Sequence, residues 1–358
     1  MNDSRGLRGL VAGPAKSQRK RLSLSTESLV NEEWYETGKT KLLMITPSVG
    51  GIDLRTWASI NRAYLETRLL TSGALLLRNF EINGVAEFEQ FLLHVSDNLL
   101  DYQYRSTPRK QLQGKIYSST EYPANQSILL HNENSYCRKW PLKLWFFCNR
   151  PAERGGETPI ADSRRIFSQI PLEIRERFIE KGVLYVRNLG NRLDLPWQEV
   201  FQTADRSEAE EHCRDAGIEY EWIAKDHLKL RQICQAVASH PVTNEEVWFN
   251  QAHLFHKSAL PRELSDCLST DYQDEDLPRN AYYGDGSTIE SSVLDEIRGI
   301  YEREALVFPW RTGDILMLDN MLMAHGRAPF TGAREIAVGF AEIVAGESLF
   351  NQRGNGHV

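Results

Sequence analysis

Past residue 30 the chain alternates between two hydrophobic periodicities. In "RTWASINRAYLETRLLTSG" apolar residues recur at helical spacing and stop at a glycine, which predicts a helix over 55–72 and a turn into a strand, "GALLLRNF". "VAEFEQFLLHVSDNLL" predicts a second amphipathic helix. From about residue 115 the pattern shortens to strands punctuated by Gly, Pro and Asn: "KIYSST", "SILLHNE", "LKLWFFCN", "ETPIADS", "EVWFNQAHLF", "ALVFPW", "GDILMLDNMLMAH" and "REIAVGFAEI". These predict a mainly β core with flanking helices. "PLEIRERFIEKG", "RSEAEEHCRDAG" and "SSVLDEIRGIYERE" predict helical insertions, over about 165–235 and 256–300, rather than alternating βαβ units. The polar stretch "STDYQDEDLPRNAYYGDGS" predicts a long surface loop that serves as a lid or a substrate loop.

Residues 1–30 break the pattern: they are rich in Arg, Lys, Ser and Gly and poor in acids, and the expectation is a mobile solvated tail. An organelle transit peptide has a similar composition, but no apolar stretch of a secretory leader is present. Residues 31–358 are expected to form a single domain, with 41% hydrophobic residues to fill its core. A net charge of -7 does not point to nucleic acid or an anionic membrane as partner, and no apolar segment reaches the roughly 20 residues that span a bilayer. Five cysteines without CxxC spacing predict reduced thiols and a cytoplasmic setting.

Chemistry enters at "ILLHNENSYC". His131 and Glu133 lie two apart at the end of an apolar run, so an extended chain would project both to one side. His325 ends another apolar strand pattern. Two histidines and a carboxylate form the facial set that leaves cis positions open on a non-haem iron, although zinc would accept the same ligands, and each histidine could equally be a core residue satisfied by a backbone carbonyl. Arg334, nine residues past His325, offers a planar fork for the distal carboxylate of an iron-chelating 2-oxo acid. Thr158 would add a hydroxyl if its strand lies alongside.

The segments "LHNENSY", "WPLKLWFFCNRPAERGGETPIADSR", "VWFNQAHLFH" and "DNMLMAHGRAPFTGAREI" resemble the taurine dioxygenase (TauD/TfdA) superfamily of Fe(II)/2-oxoglutarate-dependent oxygenases over roughly residues 70–345. Within it they are most similar to the syringomycin-type amino-acid β-hydroxylases of nonribosomal peptide pathways. The resemblance implies a double-stranded β-helix (jelly roll) with His131, Glu133 and His325 on Fe(II), and Arg334 and Thr158 on the cosubstrate 2-oxoglutarate. It also implies O2 consumption and hydroxylation, desaturation or cyclisation of an amino acid or derivative, free or tethered to a peptidyl carrier protein. Glu133 stands where many members carry Asp; halogenating members carry a small residue there, so Glu133 argues against halogenation. Glu335 follows Arg334 where a second arginine is common.

Asn132, Ser135, Asn250 and Arg327 are candidate substrate contacts, with a structural ion pair as the other reading of Arg327. Arg105 and Lys115 are possible carboxylate partners, "YSSTE" (117–121) resembles a pocket segment, and His253 and His256 read more simply as structural. A zinc hydrolase and a non-catalytic jelly roll are the readings from other classes.

Overall fold

The computed structural model describes residues 29–346 apart from Thr37, Gln103, Arg105, Ser106, Pro108, 191–193, 262–264, Asp266, Ser269 and Asp271. The expectations for Arg105 and for the tail up to residue 28 lie outside these residues. Val30 already belongs to a strand, Val30–Glu36.

The largest sheet has eight strands, in the order Val30–Glu36, Lys41–Pro47, Ala74–Leu77, Ile315–Asp319, Lys139–Arg150, Glu335–Ala345, Ile116–Ser118 and Gln111–Gln113. Its central strands read as unbroken apolar runs because both faces are buried. On one face Leu42, Leu76, Phe146, Leu316, Leu318, Val338 and Phe340 fill the space toward a second, three-stranded sheet. On the other, Leu43, Ile45, Leu75, Trp145, Phe147, Ile315 and Met317 pack with Trp57, Phe88 and Phe91 of the flanking helices. Alternation with period two sends neighbouring residues to different cores.

The second sheet, Ile128–His131, Met323–Arg327 and Ile160–Asp162, carries the site. It faces the large sheet, and together they make the double-stranded β-helix. The predicted helix over 55–72 is two helices, Leu54–Ile60 and Arg62–Ser72. Asn61 separates them, its side chain donating to the Trp57 carbonyl at 2.8 Å. Gly73, at φ 74°, then ends the second in the left-handed conformation before Ala74–Leu77 begins.

The expected insertions are not purely helical. Val183–Leu189, Glu219–Ala224, His227–Cys234 and Arg279–Tyr283 form a four-stranded antiparallel sheet of their own. Glu219–Ala224 and His227–Cys234 are neighbours in a tight hairpin, but Val183–Leu189 finds its partners, His227–Cys234 and Arg279–Tyr283, far away in sequence. Arg279–Tyr283 lies inside the segment expected to be a loop. "EVWFNQAHLF" is a strand only to Trp248 and then turns into the helix Ala252–Phe255, while "ALVFPW" contributes one bridge, Leu306 to Ile160.

One buried ion pair ties the large sheet to the following turn. Arg78 meets Asp314 through two N–H donors at 3.0 and 2.7 Å, and also donates to the Pro309 carbonyl. Both side chains are nearly inaccessible, so Asp314→Ala leaves an uncompensated guanidinium and should cost about 3–5 kcal/mol in urea unfolding. Glu36→Ala, which removes the exposed Lys41 pair, should cost no more than about 1 kcal/mol.

Candidate metal centre

His131 and His325 are direct cross-strand partners in the antiparallel ladder, which brings their ring centroids to 4.7 Å. The His131 Nδ1–H donates to the Leu129 carbonyl at 2.8 Å, so Nε2 keeps its lone pair. His325 packs against Phe146, and its Nδ1 is buried without a hydrogen-bond partner. Burial depresses the pKa of both imidazoles, for His325 well below the usual histidine value with His131 adding to the effect. Both rings are therefore neutral, as metal ligands must be. One donor atom each from His131, Glu133 and His325 lies within 4.8 Å of the other two. Neutral imidazole nitrogens beside a carboxylate suit a divalent first-row metal, so these residues fit the iron of the resemblance.

Glu133 reaches this point by a different route from the one expected. The strand ends at His131, and 133–136 form a turn with Asn134 in the left-handed conformation at φ 56°. Asn320 holds that turn: its Oδ1 accepts the Glu133 N–H at 2.7 Å, and its Nδ2 donates to the Glu133 and Pro141 carbonyls at 2.9 and 2.8 Å. Asn132 is fully buried and donates to Ser163 Oγ and the Asn320 carbonyl. The Ser135 hydroxyl donates back to the Asn132 carbonyl. Asn250 bonds the Ala236 carbonyl and the Ala252 N–H. These three candidate substrate contacts are thus occupied inside the scaffold, because short polar side chains at a buried turn are needed to satisfy backbone groups. His253 donates to the Leu130 carbonyl, buttressing the residue before His131. His256 caps the 3₁₀ turn Lys257–Ala259.

A narrow cleft of about 30 Å³ is lined by His131 and His325 together with Arg109, Thr158, Arg327 and Arg334. Arg334 Nε donates to the Gly156 carbonyl at 2.7 Å and Nη1 to Ser119 Oγ at 3.2 Å, with Nη2 at 3.5 Å from Thr158 Oγ1. Thr158 Oγ1 also accepts from Trp310 Nε1 at 3.1 Å, which leaves its O–H free to donate into the cleft. Burial, with Arg327 nearby, lowers the Arg334 pKa to about 10. Arg327 donates to the carbonyls of Tyr122, Pro123 and Gln126, so its partners are backbone oxygens and not the expected carboxylate. Among the described residues neither arginine has an acidic partner within ion-pair distance. The paired glycines of "RGGETP" allow this packing. A Cβ on Gly156 would sit 2.9 Å from Arg334 Cδ, and one on Gly155 would sit 2.1 Å from the Pro329 carbonyl oxygen, both at positive φ.

Sequence reading missed Arg109, Asn320 and Trp310, and named the pocket segment of Ser119 without giving that residue a role. Asn320 stands in "LDNML", a polar pair inside an apolar run, and that interruption was a usable signal; Arg109 and Trp310 had none. Lys115 donates to the Leu99 carbonyl and pairs with Asp101 at 3.4 Å. In "YSSTE", Tyr117 is buried and Ser119 reaches Arg334.

A model of the family described as taurine catabolism dioxygenase TauD, TfdA family matches residues 39–339. The dapdiamide synthesis protein DdaC of Enterobacter agglomerans is 42% identical over 276 residues, covering 77% of this chain and 84% of that protein. A clavaminate synthase-like protein of Arabidopsis thaliana is 30% identical over 285 residues, covering 76% and 82%. Among solved structures, PvcB, an Fe, alpha-ketoglutarate dependent oxygenase from an isonitrile synthetic pathway, shares the fold with a TM-score of 0.52 at 13% identity, over 87% of this chain and 90% of that one. A second structure of PvcB, from Pseudomonas aeruginosa, has a TM-score of 0.53 with the same identity and coverage. The class is therefore a 2-oxoglutarate-dependent dioxygenase built on a double-stranded β-helix. Within it the chain belongs to the TauD/TfdA family, which implies iron and 2-oxoglutarate. No helix among the described residues is long and apolar enough to cross a membrane.

Asn320→Ala should leave the fold intact by circular dichroism while weakening Fe(II) binding about 10–100-fold, the usual cost of losing a group that orients a ligand. Anaerobic titration of the metal-free protein measures it.

Proposed function

We propose that His131, Glu133 and His325 hold Fe(II), that Arg334 and Thr158 bind the distal carboxylate of 2-oxoglutarate, and that the enzyme hydroxylates an unactivated C–H bond of an amino acid or amino-acid derivative in natural-product biosynthesis. The observation that carries this reading is the charge of the cleft: Arg327 and Arg334 line it together with His131 and His325, and among the described residues neither guanidinium has an acid within ion-pair distance. A dianionic cosubstrate supplies that charge. The name of DdaC, a dapdiamide synthesis protein, supports the natural-product setting.

Iron, when bound with 2-oxoglutarate and dioxygen, supplies the oxidising chemistry. The chain supplies the rest. Strand register presents the imidazoles, the Asn320-held turn presents the carboxylate, and the Arg334 fork with the Thr158 hydroxyl orients the cosubstrate. Phe146 and the apolar face behind it exclude water from the histidines.

We infer that the substrate, a free amino acid or one tethered to a peptidyl carrier, approaches at the cleft that His131 and His325 line with Arg109; the larger cavity of about 720 Å³ walled by Tyr102, Tyr104, Trp140 and Phe340 has none of the three donors in its lining. Five unpaired cysteines accord with a cytoplasmic location.

Aerobic incubation with Fe(II), 2-oxoglutarate and a panel of free and carrier-bound amino acids, read by mass spectrometry, tests the function; a panel without a +16 product or succinate formation counts against it. His131→Ala should abolish turnover and metal binding in a folded protein. Arg334→Ala should weaken 2-oxoglutarate by roughly 30-fold or more, since removing one partner of a desolvated charged contact costs about 2–5 kcal/mol. Arg334→Lys should recover part of this, and Thr158→Ala should cost only about 1 kcal/mol. The apparent 2-oxoglutarate affinity in succinate production, together with the visible charge-transfer band of the anaerobic complex, measures all three.

A further inference from the structure

Glu133 has a partner that nothing in its own segment announces. Arg109 Nη2 donates to Glu133 Oε2 at 2.8 Å, with the two side chains only 3% and 5% exposed. The same oxygen lies 3.8 Å from His325 Nε2, so the arginine grips the carboxylate at the edge that faces the histidines. The guanidinium is itself held in place, 4.8 Å from the Tyr102 ring and 5.3 Å from that of Phe340. A buried guanidinium aimed at one carboxylate oxygen beside the histidines is poorly explained by stability, because buried ion pairs contribute little net stability.

We propose that Arg109 is a positioning residue that restrains Glu133 to donate one oxygen to the metal. The inference rests on the proposed iron triad. A carboxylate with both oxygens free can chelate and so occupy a position that the cosubstrate or dioxygen needs. With Oε2 bonded to a fixed cation, one lone pair is taken and rotation of the carboxylate is blocked, so symmetric chelation is closed off. The restraint acts against metal affinity, because a buried positive charge beside the ligands repels a divalent cation. Arg109 therefore weakens the bare metal complex and strengthens cosubstrate binding to it, and no simple loss of packing reproduces that pair of opposite effects.

The test uses the full chain, stripped of metal and titrated with Co(II), whose visible absorption reports coordination number. Arg109→Met keeps the bulk of the chain and removes the donor and the charge. It should bind Co(II) at least as tightly as wild type, show a changed visible spectrum, and bind 2-oxoglutarate to the Co(II) protein tenfold or more weakly. Arg109→Lys should fall between the two. A wild-type spectrum and 2-oxoglutarate affinity in Arg109→Met overturns the proposal, as does a parallel loss of metal and cosubstrate binding. Should Arg109→Met fail to fold, Arg109→Gln and Arg109→Lys carry the same comparison, and wild-type behaviour in both overturns it. His131→Ala separates this from the reading beneath it: a variant that still takes up Co(II) like wild type removes the triad and this inference with it, whereas an unchanged Arg109→Met on an intact triad removes this inference alone.

Discussion

The pairing register between Ile128–His131 and Met323–Arg327 is the constraint on which the site depends. A shift of one residue would send every side chain of Met323–Arg327 to the opposite face, exchanging His325 for Ala324 or Gly326. Two features hold the register. Gly326 lies where a Cβ would come within 2.7 Å of the Ile128 carbonyl oxygen, at the irregularity where the pairing shifts between His325 and Arg327, so the strands approach there only because the residue is glycine. On the other edge, Met323 and Ala324 pair with Asp162 and Ala161, which locks the strand from both sides.

The turn before Met323–Arg327 extends this constraint to the third ligand. Asp319 accepts the N–H groups of Met321 and Leu322 through Oδ1, and its Oδ2 lies 2.9 Å from His240 Nε2. His240 in turn accepts the N–H groups of Val242 and Thr243 at Nδ1, so it is the neutral tautomer with its proton on Nε2. This buried network fixes Asn320, and Asn320 fixes Glu133. A single connection of a few residues therefore carries one histidine and sets the carboxylate, which sits about 190 residues away in sequence.

Charge is distributed across the site with the same economy. The histidines are kept neutral by burial, Glu133 is matched by Arg109, and the positive charge of Arg327 and Arg334 lines the cleft beside the histidines. The backbone carbonyls around Arg327 and Arg334 hold these guanidinia in the absence of an anion while leaving their net charge available to one.

The mainly β core, the strands that carry the histidines, and the closeness of Arg334 to Thr158 were legible in the sequence because each has a local signal: apolar runs of strand length, a histidine at a strand end, an arginine at the start of a returning strand. The insertion sheet was not, since its central strand Val183–Leu189 is paired over long separations, with Arg279–Tyr283 on one side and His227–Cys234 on the other. Nor were the hydrogen bonds that Asn132, Ser135 and Asn250 make inside the scaffold, because a short polar residue looks the same in sequence whether it faces a cleft or satisfies a buried turn. Arg109 and Trp310 acquired their roles only through folding, and the polar interruption at Asn320 marked the residue without naming its partner. A hydrogen bond between residues 24 or 187 positions apart leaves no periodicity in the chain, and what decides it is the close approach of packed strands and the need of each buried polar group for a partner.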